Sequence, residues 1–271
     1  MSAPQSSAEQ TDERLADHHI VVTGGAQGIG RGIAIRCARS GADVTILDVD
    51  SAAAAETASR IRDLGCEAVV VETDVTDQEA IDAAIETATA ELGPIHGLVN
   101  NAGIQRSVPL LETSEAEWDR HFAVNAKGPF LVSKRVAEQM IDDGIEGSIV
   151  NVSSVGAERP FSGQGAYGAS KAAVLALTTV LAKELKAHGI TANAIKPGTV
   201  DTPMVEEWAD EKAEAKGVTS DEVLEEAMST HILDRPGRPA EIGHVAVLLL
   251  SEEGSWITGE SIAVDGGYLK A

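Results

Sequence analysis

The sequence predicts one α/β domain with a Rossmann-like, doubly wound parallel sheet of about seven strands and helices on both faces. Two patterns carry this prediction: short apolar runs alternate with longer runs of helical period, and a glycine-rich turn follows the first apolar run. The 271 residues, 43% of them hydrophobic, suffice for one core. Because strands that alternate with helices need crossover connections, the sheet is expected to be parallel.

The predicted strands are seven short apolar runs, at residues 18–23, 43–47, 68–71, 97–99, 148–152, 190–195 and 261–264. The predicted helices lie between them, at residues 29–39, 52–64, 81–92, 115–141 (as one or two helices) and 167–187. The first three strands and their two helices form a βαβαβ half, and the same alternation then repeats.

One segment, residues 199–238, interrupts the alternation and is predicted to be a helical insertion. It is long and acidic, and it follows a late strand, so we expect it to cover the carboxyl edge of the sheet as a substrate lid. The alternative is that this acidic segment only lies exposed to solvent and does not cover the site. Residues 1–17 are predicted to be a polar N-terminal extension, and residues 18–271 the single domain.

The chain is strongly acidic, with 43 acidic and 21 basic residues and a net charge of −22. This charge repels phosphates, so neither nucleic acid nor an anionic membrane surface is an expected partner. A composition this acidic is typical of halophilic proteins, whose charges are screened by salt. An ordinary acidic cytosolic enzyme is the alternative.

Cysteine and histidine give no sign of a metal site or a disulfide framework. Cys37 and Cys66 form no CxxC pair, and the seven histidines show no paired ligand spacing. No run approaches the roughly 18 apolar residues of a membrane span, and the polar N-terminus lacks the apolar core of a signal peptide. We therefore expect a soluble, cytoplasmic protein.

The glycine-rich turn after the first strand is the candidate phosphate-binding site, because glycines allow close backbone approach and the next helix offers free N–H groups. Its candidate binding residues are Gly24, Gln27, Gly28, Ile29 and Gly30. A purely structural turn is the alternative.

Asp48 ends the second strand, eighteen residues after Gly30. Its carboxylate can accept from both hydroxyls of an adenosine ribose and would repel a 2′-phosphate, which favours NAD over NADP. The alternative is an ordinary strand-end or cap residue.

Tyr167 and Lys171 are four residues apart on one predicted helix, so their side chains share a face. An ammonium beside a phenol favours the phenolate, which would make Tyr167 a general base. Ser154 is a candidate to hold and polarise the reacting oxygen, with Ser153 as the alternative. In isolation, a tyrosine and a lysine at this spacing are more often a surface pair.

Taken together, these elements resemble the short-chain dehydrogenase/reductase family over residues 18–268. The spacing of the glycine-rich turn resembles the family's more than the general GxGxxG fingerprint, and the gap between serine and tyrosine selects Ser154. The remaining matches are Asn100-Asn101-Ala102-Gly103, Asn151-Val152-Ser153-Ser154, Tyr167-x3-Lys171, Asp74-Val75, Asn125, Pro197-Gly198-x-Val200-x-Thr202, and the stretch from Gly259 to Gly267.

The resemblance implies a role for each matched residue. Asn125 would complete a catalytic tetrad with Ser154, Tyr167 and Lys171, and would hold a water for proton relay; Lys171 would also contact the nicotinamide ribose. The remaining implied cofactor contacts run from adenine to nicotinamide and are Asp74, Val75, Asn101, Ala102, Gly103, Pro197, Gly198, Val200 and Thr202.

The expected activity is NAD-dependent oxidation of a secondary alcohol: a sugar, a sugar acid or a small polyol. The candidate substrate contacts are Ser154, Gln164, Arg106, Met204 and Trp208. The alternatives are a 3-oxoacyl thioester reductase of the same family and a non-catalytic, cofactor-binding regulatory protein. The resemblance also implies a homotetramer, with residues 115–141 and 167–187 at one interface.

Overall fold

The structure, a computed structural model, describes residues 12–271 and confirms the predicted fold class. Seven parallel strands form one sheet in the order β3-β2-β1-β4-β5-β6-β7. The strands are β1 (His19–Thr23), β2 (Asp43–Asp48), β3 (Ala68–Glu72), β4 (Gly97–Asn100), β5 (Ser148–Val152), β6 (Thr191–Pro197) and β7 (Ser261–Val264).

Helices cover both faces of this sheet. They are α1 (Gly28–Arg39), α2 (Ser51–Asp63), α3 (Gln78–Leu92), α4 (Glu115–Phe122), α5 (Gly128–Asp143), α6 (Gly165–Glu184), α7 (Pro203–Lys216), α8 (Ser220–Met228) and α9 (Pro239–Leu250). The alternating side chains of β1 show why both faces need cover: Ile20 and Val22 belong to one buried cluster and Val21 to the other.

The predicted run at 115–141 is two α-helices joined by a π-helical turn, Ala123–Lys127. β2 and β6 run one and two residues beyond their predicted ends, because Asp48 pairs with Glu72 and Pro197 with Val264. Residues 203–228 of the predicted insertion form α7 and α8. Its base is closed by hydrogen bonds between Gly237 and both Thr199 and Asp201.

The packed part of the chain begins before the predicted boundary at residue 18. Leu15 is fully buried, and its N–H donates to the carbonyl of Ser40 at 2.8 Å. Asp12 accepts from Arg36 at 2.7 Å and fixes this segment against α1. The predicted polar extension is therefore too long, and residues 1–11 lie outside the described part of the chain.

The prediction that no run reaches membrane-span length is wrong for residues 165–188, which are long and apolar enough by length and composition alone. Buried helices of globular proteins pass the same test, so the finding is weak evidence for a span. This stretch contains α6, which packs against β6 and carries Tyr167 and Lys171.

The strand order places the ligand crevice. Because the chain leaves β1 toward β2 on one side and later returns to β4 on the other, the loops after β1 and β4 diverge and open a crevice at the carboxyl edge of the sheet. The glycine-rich turn follows β1, and the Asn100-Asn101-Ala102-Gly103 element begins at the end of β4.

Candidate active site at the carboxyl edge of the sheet

A cleft of about 660 Å³ lies at this edge and brings most of the predicted site residues together. Its volume is within the range of cofactor and small-molecule sites. The predicted residues that line it are Gly24, Gln27, Gly28, Ile29, Asp48, Asp74, Val75, Asn101, Ala102, Gly103, Ser154, Gln164, Tyr167, Lys171, Pro197, Gly198, Val200, Thr202, Met204 and Trp208. Gly30, Arg106 and Asn125 do not line it.

The glycine-rich turn is held in place by the segment after β4. Thr23 Oγ1 accepts from the backbone N–H groups of Asn101 and Ala102, both at 3.0 Å, and Asn101 Nδ2 donates to the Gly24 carbonyl at 2.8 Å. A Cβ on Gly30 would lie 2.0 Å from that carbonyl oxygen. Gly30 therefore permits the tight turn and is not a contact in the cleft, which corrects its predicted role.

Asp48 is half-buried at the end of β2, where one carboxylate oxygen accepts from the backbone N–H of Ala26 at 2.9 Å. The other oxygen accepts from the N–H of Asp50 at 3.0 Å. Both bonds orient the carboxylate at the edge of the cleft. Asp74 instead caps its own turn, accepting from the N–H and hydroxyl of Thr76, each at 2.8 Å.

Ser154, Tyr167 and Lys171 meet at the inner end of the cleft. Ser154 follows β5, and its Oγ accepts from the N–H of Gly156 at 3.0 Å and lies near enough to the Tyr167 phenol to lower its pKa. Lys171 Nζ donates to the carbonyl of Val152 at 2.9 Å. Ser153, the alternative to Ser154, donates to the Lys171 carbonyl at 2.8 Å and thus points away from Tyr167.

The electrostatics of this group differ from the expectation that Lys171 lowers the pKa of Tyr167. Burial raises the pKa of the Tyr167 phenol, and the neighbouring Ser154 hydroxyl offsets part of that effect. Burial also lowers the pKa of Lys171 to about 8. The ammonium is bonded to the Val152 carbonyl, so the chain alone keeps Tyr167 in its neutral form near pH 7.

Asn125 lies behind the cleft in the π-helical turn, fully buried. Its Oδ1 accepts from the N–H of Ile104 at 2.8 Å, and its Nδ2 donates to the Ile104 carbonyl at 2.9 Å and to Ser170 Oγ at 3.1 Å. A Cβ on Gly103 would lie 3.2 Å from both Asn125 Oδ1 and Lys171 Nζ. The Asn125 and Lys171 side chains therefore both approach the space beside Gly103, which a larger side chain would crowd.

The substrate end of the cleft departs from the sequence prediction at two residues. Arg106 is largely exposed, and its guanidinium lies 3.6 Å from Glu117, outside the cleft. Phe161, which was not predicted, lines the cleft, and its ring lies 6.3 Å from that of Trp208. An aromatic residue between the serine and the tyrosine of the motif was the available signal.

The lining suits a nicotinamide dinucleotide. The turn after β1 opens directly into α1, whose first N–H groups lack intrahelical partners and can bind a pyrophosphate. Asp48 would hold the adenosine ribose, and Lys171 and Tyr167 stand at the opposite end, where the nicotinamide would lie. Such a group supplies an acceptor or donor of hydride.

Comparisons with known proteins agree with this geometry. Residues 24–269 match the family described as enoyl-(acyl carrier protein) reductase. L-2,3-butanediol dehydrogenase of Corynebacterium glutamicum is 38% identical over 92% of this chain and 97% of its own. (3R)-3-hydroxyacyl-CoA dehydrogenase of Homo sapiens is 36% identical over 96% of this chain and 98% of its own.

A solved structure, that of a short-chain type dehydrogenase/reductase from Mycobacterium marinum, superposes with a TM-score of 0.87 at 32% identity, over 96% of this chain and 99% of that one. Relatives of this kind use nicotinamide cofactors and act on alcohols. The chain belongs to the short-chain dehydrogenase/reductase family and is a dehydrogenase or reductase acting on alcohols.

Proposed function

We propose that this protein oxidises small, neutral secondary alcohols, polyols or sugars among them, with NAD as the hydride acceptor. The observation that carries the proposal is that Ser154, Tyr167 and Lys171 lie together, buried, in the lining of a dinucleotide-sized cleft. A regulatory protein that only bound the cofactor would have no use for a proton acceptor buried beside a serine hydroxyl.

Each side chain has one task in this reaction. Ser154 Oγ hydrogen-bonds the substrate oxygen and fixes the carbinol carbon. Tyr167, once ionised to the phenolate, accepts the hydroxyl proton as the carbon loses hydride to NAD and a carbonyl forms. Lys171 places a positive charge beside the group and passes the proton on toward the space that Gly103 leaves open next to Asn125.

The charges around the cleft support NAD over NADP. Asp48, Asp50 and Asp74 are the carboxylates among its described lining residues, whereas Arg120 and Lys171 are the cations. A 2′-phosphate beside Asp48 would bring two anions together.

Replacing Asp48 with Ala should reduce the preference for NAD over NADP by at least about tenfold, because the carboxylate that repels the phosphate is lost. The measurement is kcat/KM for both cofactors, with Asp74→Ala as the control, since that carboxylate is bonded within its own turn. An unchanged ratio in Asp48→Ala, or a wild-type enzyme that prefers NADP tenfold, would show that selectivity lies elsewhere.

The lid supports a neutral substrate. Residues 203–228 carry nine acidic residues and two lysines, and this charge disfavours sugar acids and the phosphates of a coenzyme A or carrier-protein thioester. The relatives nevertheless include a 3-hydroxyacyl-CoA dehydrogenase, so 3-oxoacyl thioester reduction is the second candidate. Cofactor turnover with neutral polyols, sugars, sugar acids and 3-hydroxyacyl-CoA separates the two, and we expect the neutral alcohols to give the highest kcat/KM.

Salt should stabilise the protein. With a net charge of −22, the folded chain is destabilised by self-repulsion that ions screen. We expect the melting temperature and the activity to rise between roughly 0.1 M and 2 M potassium chloride. Equal melting temperatures at the two concentrations would favour the alternative that this is an ordinary acidic enzyme without adaptation to salt.

We also propose that the protein forms a homotetramer through α4, α5 and α6. Trp118, Phe130 and Val180, one on each helix, are 38%, 48% and 47% exposed in the single chain. Light scattering should give a mass of about four chains. A cytoplasmic location and the absence of nucleic-acid and membrane partners stay predictions from the sequence.

A further inference from the structure

A second, small cavity adjoins the substrate end of the cleft. It has a volume of about 20 Å³ and shares three lining residues with the main cleft, namely Gln105, Met204 and Trp208. Ser107 lines the small cavity only. A space of this size holds one water molecule or one hydroxyl group.

Two of the residues that line this small cavity each carry a buried polar atom without a partner among the described residues. Ser107 Oγ and Trp208 Nε1 are both buried, and neither makes a hydrogen bond within residues 12–271. Buried polar groups in folded proteins are nearly always hydrogen-bonded, because leaving one unpaired costs free energy. An oxygen atom bound beside these two residues would give both atoms a partner.

The indole of Trp208 is held in position. The ring lies on α7, between Phe161, at 6.3 Å from ring to ring, and Lys212, whose Nζ is 5.5 Å from the ring centroid. The ring also packs against the cluster of Ala209, Ala213 and Val223, and these contacts restrict the directions in which the N–H can donate. Fixed donors discriminate between ligands because an analogue without the matching acceptor leaves them unpaired.

The charges around the small cavity decide what kind of oxygen fits. Glu207 and Glu211 line it, and the guanidinium of its one basic lining residue, Arg106, lies 3.6 Å from Glu117. A carboxylate or phosphate would face two glutamates there. A neutral hydroxyl or carbonyl oxygen can accept from the indole N–H and also pair with the serine hydroxyl.

We infer that the small cavity is a subsite for a second, neutral oxygen of the substrate, bound by Trp208 Nε1 and Ser107 Oγ. The enzyme then selects diols, polyols or hydroxyketones over alcohols with one oxygen. This inference rests on the proposed alcohol oxidation and adds to it the group that distinguishes one alcohol from another.

The test compares cyclohexanol with 1,2-, 1,3- and 1,4-cyclohexanediol, which place the second oxygen at increasing distances from the reacting carbon. In the wild type, we expect at least one diol to exceed cyclohexanol in kcat/KM. Trp208→Phe keeps an aromatic ring but removes the donor, and Ser107→Ala removes the hydroxyl. Each should lower the ratio of kcat/KM for that diol to kcat/KM for cyclohexanol about tenfold. Trp256→Phe, at a tryptophan that is 98% exposed, is the matched control.

Ratios that stay within about twofold of wild type for all three diols in both variants would show that the space holds only a structural water. A wild type that oxidises none of these alcohols would instead contradict the proposed function. The subsite would then be judged from the melting temperature: with NAD present, a diol should raise it in the wild type and raise it less in Trp208→Phe. Equal increases in the melting temperature of the two proteins would contradict the proposed subsite.

Discussion

Replacing Tyr167 with Phe should lower kcat for alcohol oxidation by at least roughly 10²-fold, because the variant keeps the ring but loses the group that accepts the proton. Binding of NAD should survive, since the turn after β1 and Asp48 are untouched. The measurement is steady-state turnover together with a direct titration of NAD binding.

The chain contains a second buried tyrosine that serves as the control. Tyr268 donates its hydroxyl to the Arg159 carbonyl at 3.2 Å, so Tyr268→Phe removes an equivalent hydrogen bond away from the proton path. Tyr268→Phe should lower the stability of the protein but leave kcat nearly unchanged. A Tyr167→Phe enzyme within about fivefold of wild type would exclude Tyr167 as the base.

Replacing Lys171 with Met should weaken NAD binding by roughly 10- to 100-fold, because the ammonium is the expected donor to the nicotinamide ribose. It should also move the ionisation that controls oxidation to higher pH. Burial already raises the pKa of Tyr167, and Ser154 offsets only part of that effect. With NAD bound, the Lys171 ammonium and the positive nicotinamide ring would both favour the phenolate, and the variant keeps only the ring. In the wild type, the rate of oxidation should rise from acid to mildly alkaline pH. In the variant, the same rise should occur at higher pH.

The same variant should change stability in a pH-dependent way. The pKa of Lys171 is about 8 in the folded protein and 10.5 in its ordinary state, so between these values the unfolded chain binds more protons. Wild-type stability therefore rises with pH across this window, and below pH 8 the buried ammonium costs on the order of 3 kcal/mol. Lys171→Met should gain most in melting temperature at pH 7 and less near pH 10. A constant difference between the two proteins would contradict this pKa.

The sequence was most informative where periodicity was clear. The strands that begin at Asp43, Ala68, Ser148 and Ser261 were placed at their observed starting residues. A short apolar run that lies between two stretches of helical period leaves little choice of starting residue. The N-terminal boundary was wrong because Leu15 is one apolar residue in a polar stretch, and its burial depends on α1.

The site was predictable at residue level but less so at atomic level. Residue spacing cannot show that Lys171 turns to the Val152 carbonyl, since this depends on how the first turns of α6 lie beside the end of β5. Arg106 lies outside the main cleft for a related reason, because its partner Glu117 lies on α4, eleven residues away. Phe161 and Ser107 carry no motif and were missed. Their relation to Trp208 exists only once the lid is folded.

The most direct test of NAD-dependent oxidation by Tyr167 follows the hydride itself. A secondary alcohol carrying deuterium on its carbinol carbon is incubated with NAD and the enzyme, and the reduced cofactor is analysed by mass spectrometry. We predict that one deuterium enters the cofactor for each molecule of ketone formed by the wild type, and at least about a hundredfold more slowly with Tyr167→Phe. Cofactor without deuterium for every secondary alcohol tried, or equal rates for the two enzymes, would contradict the proposed reaction.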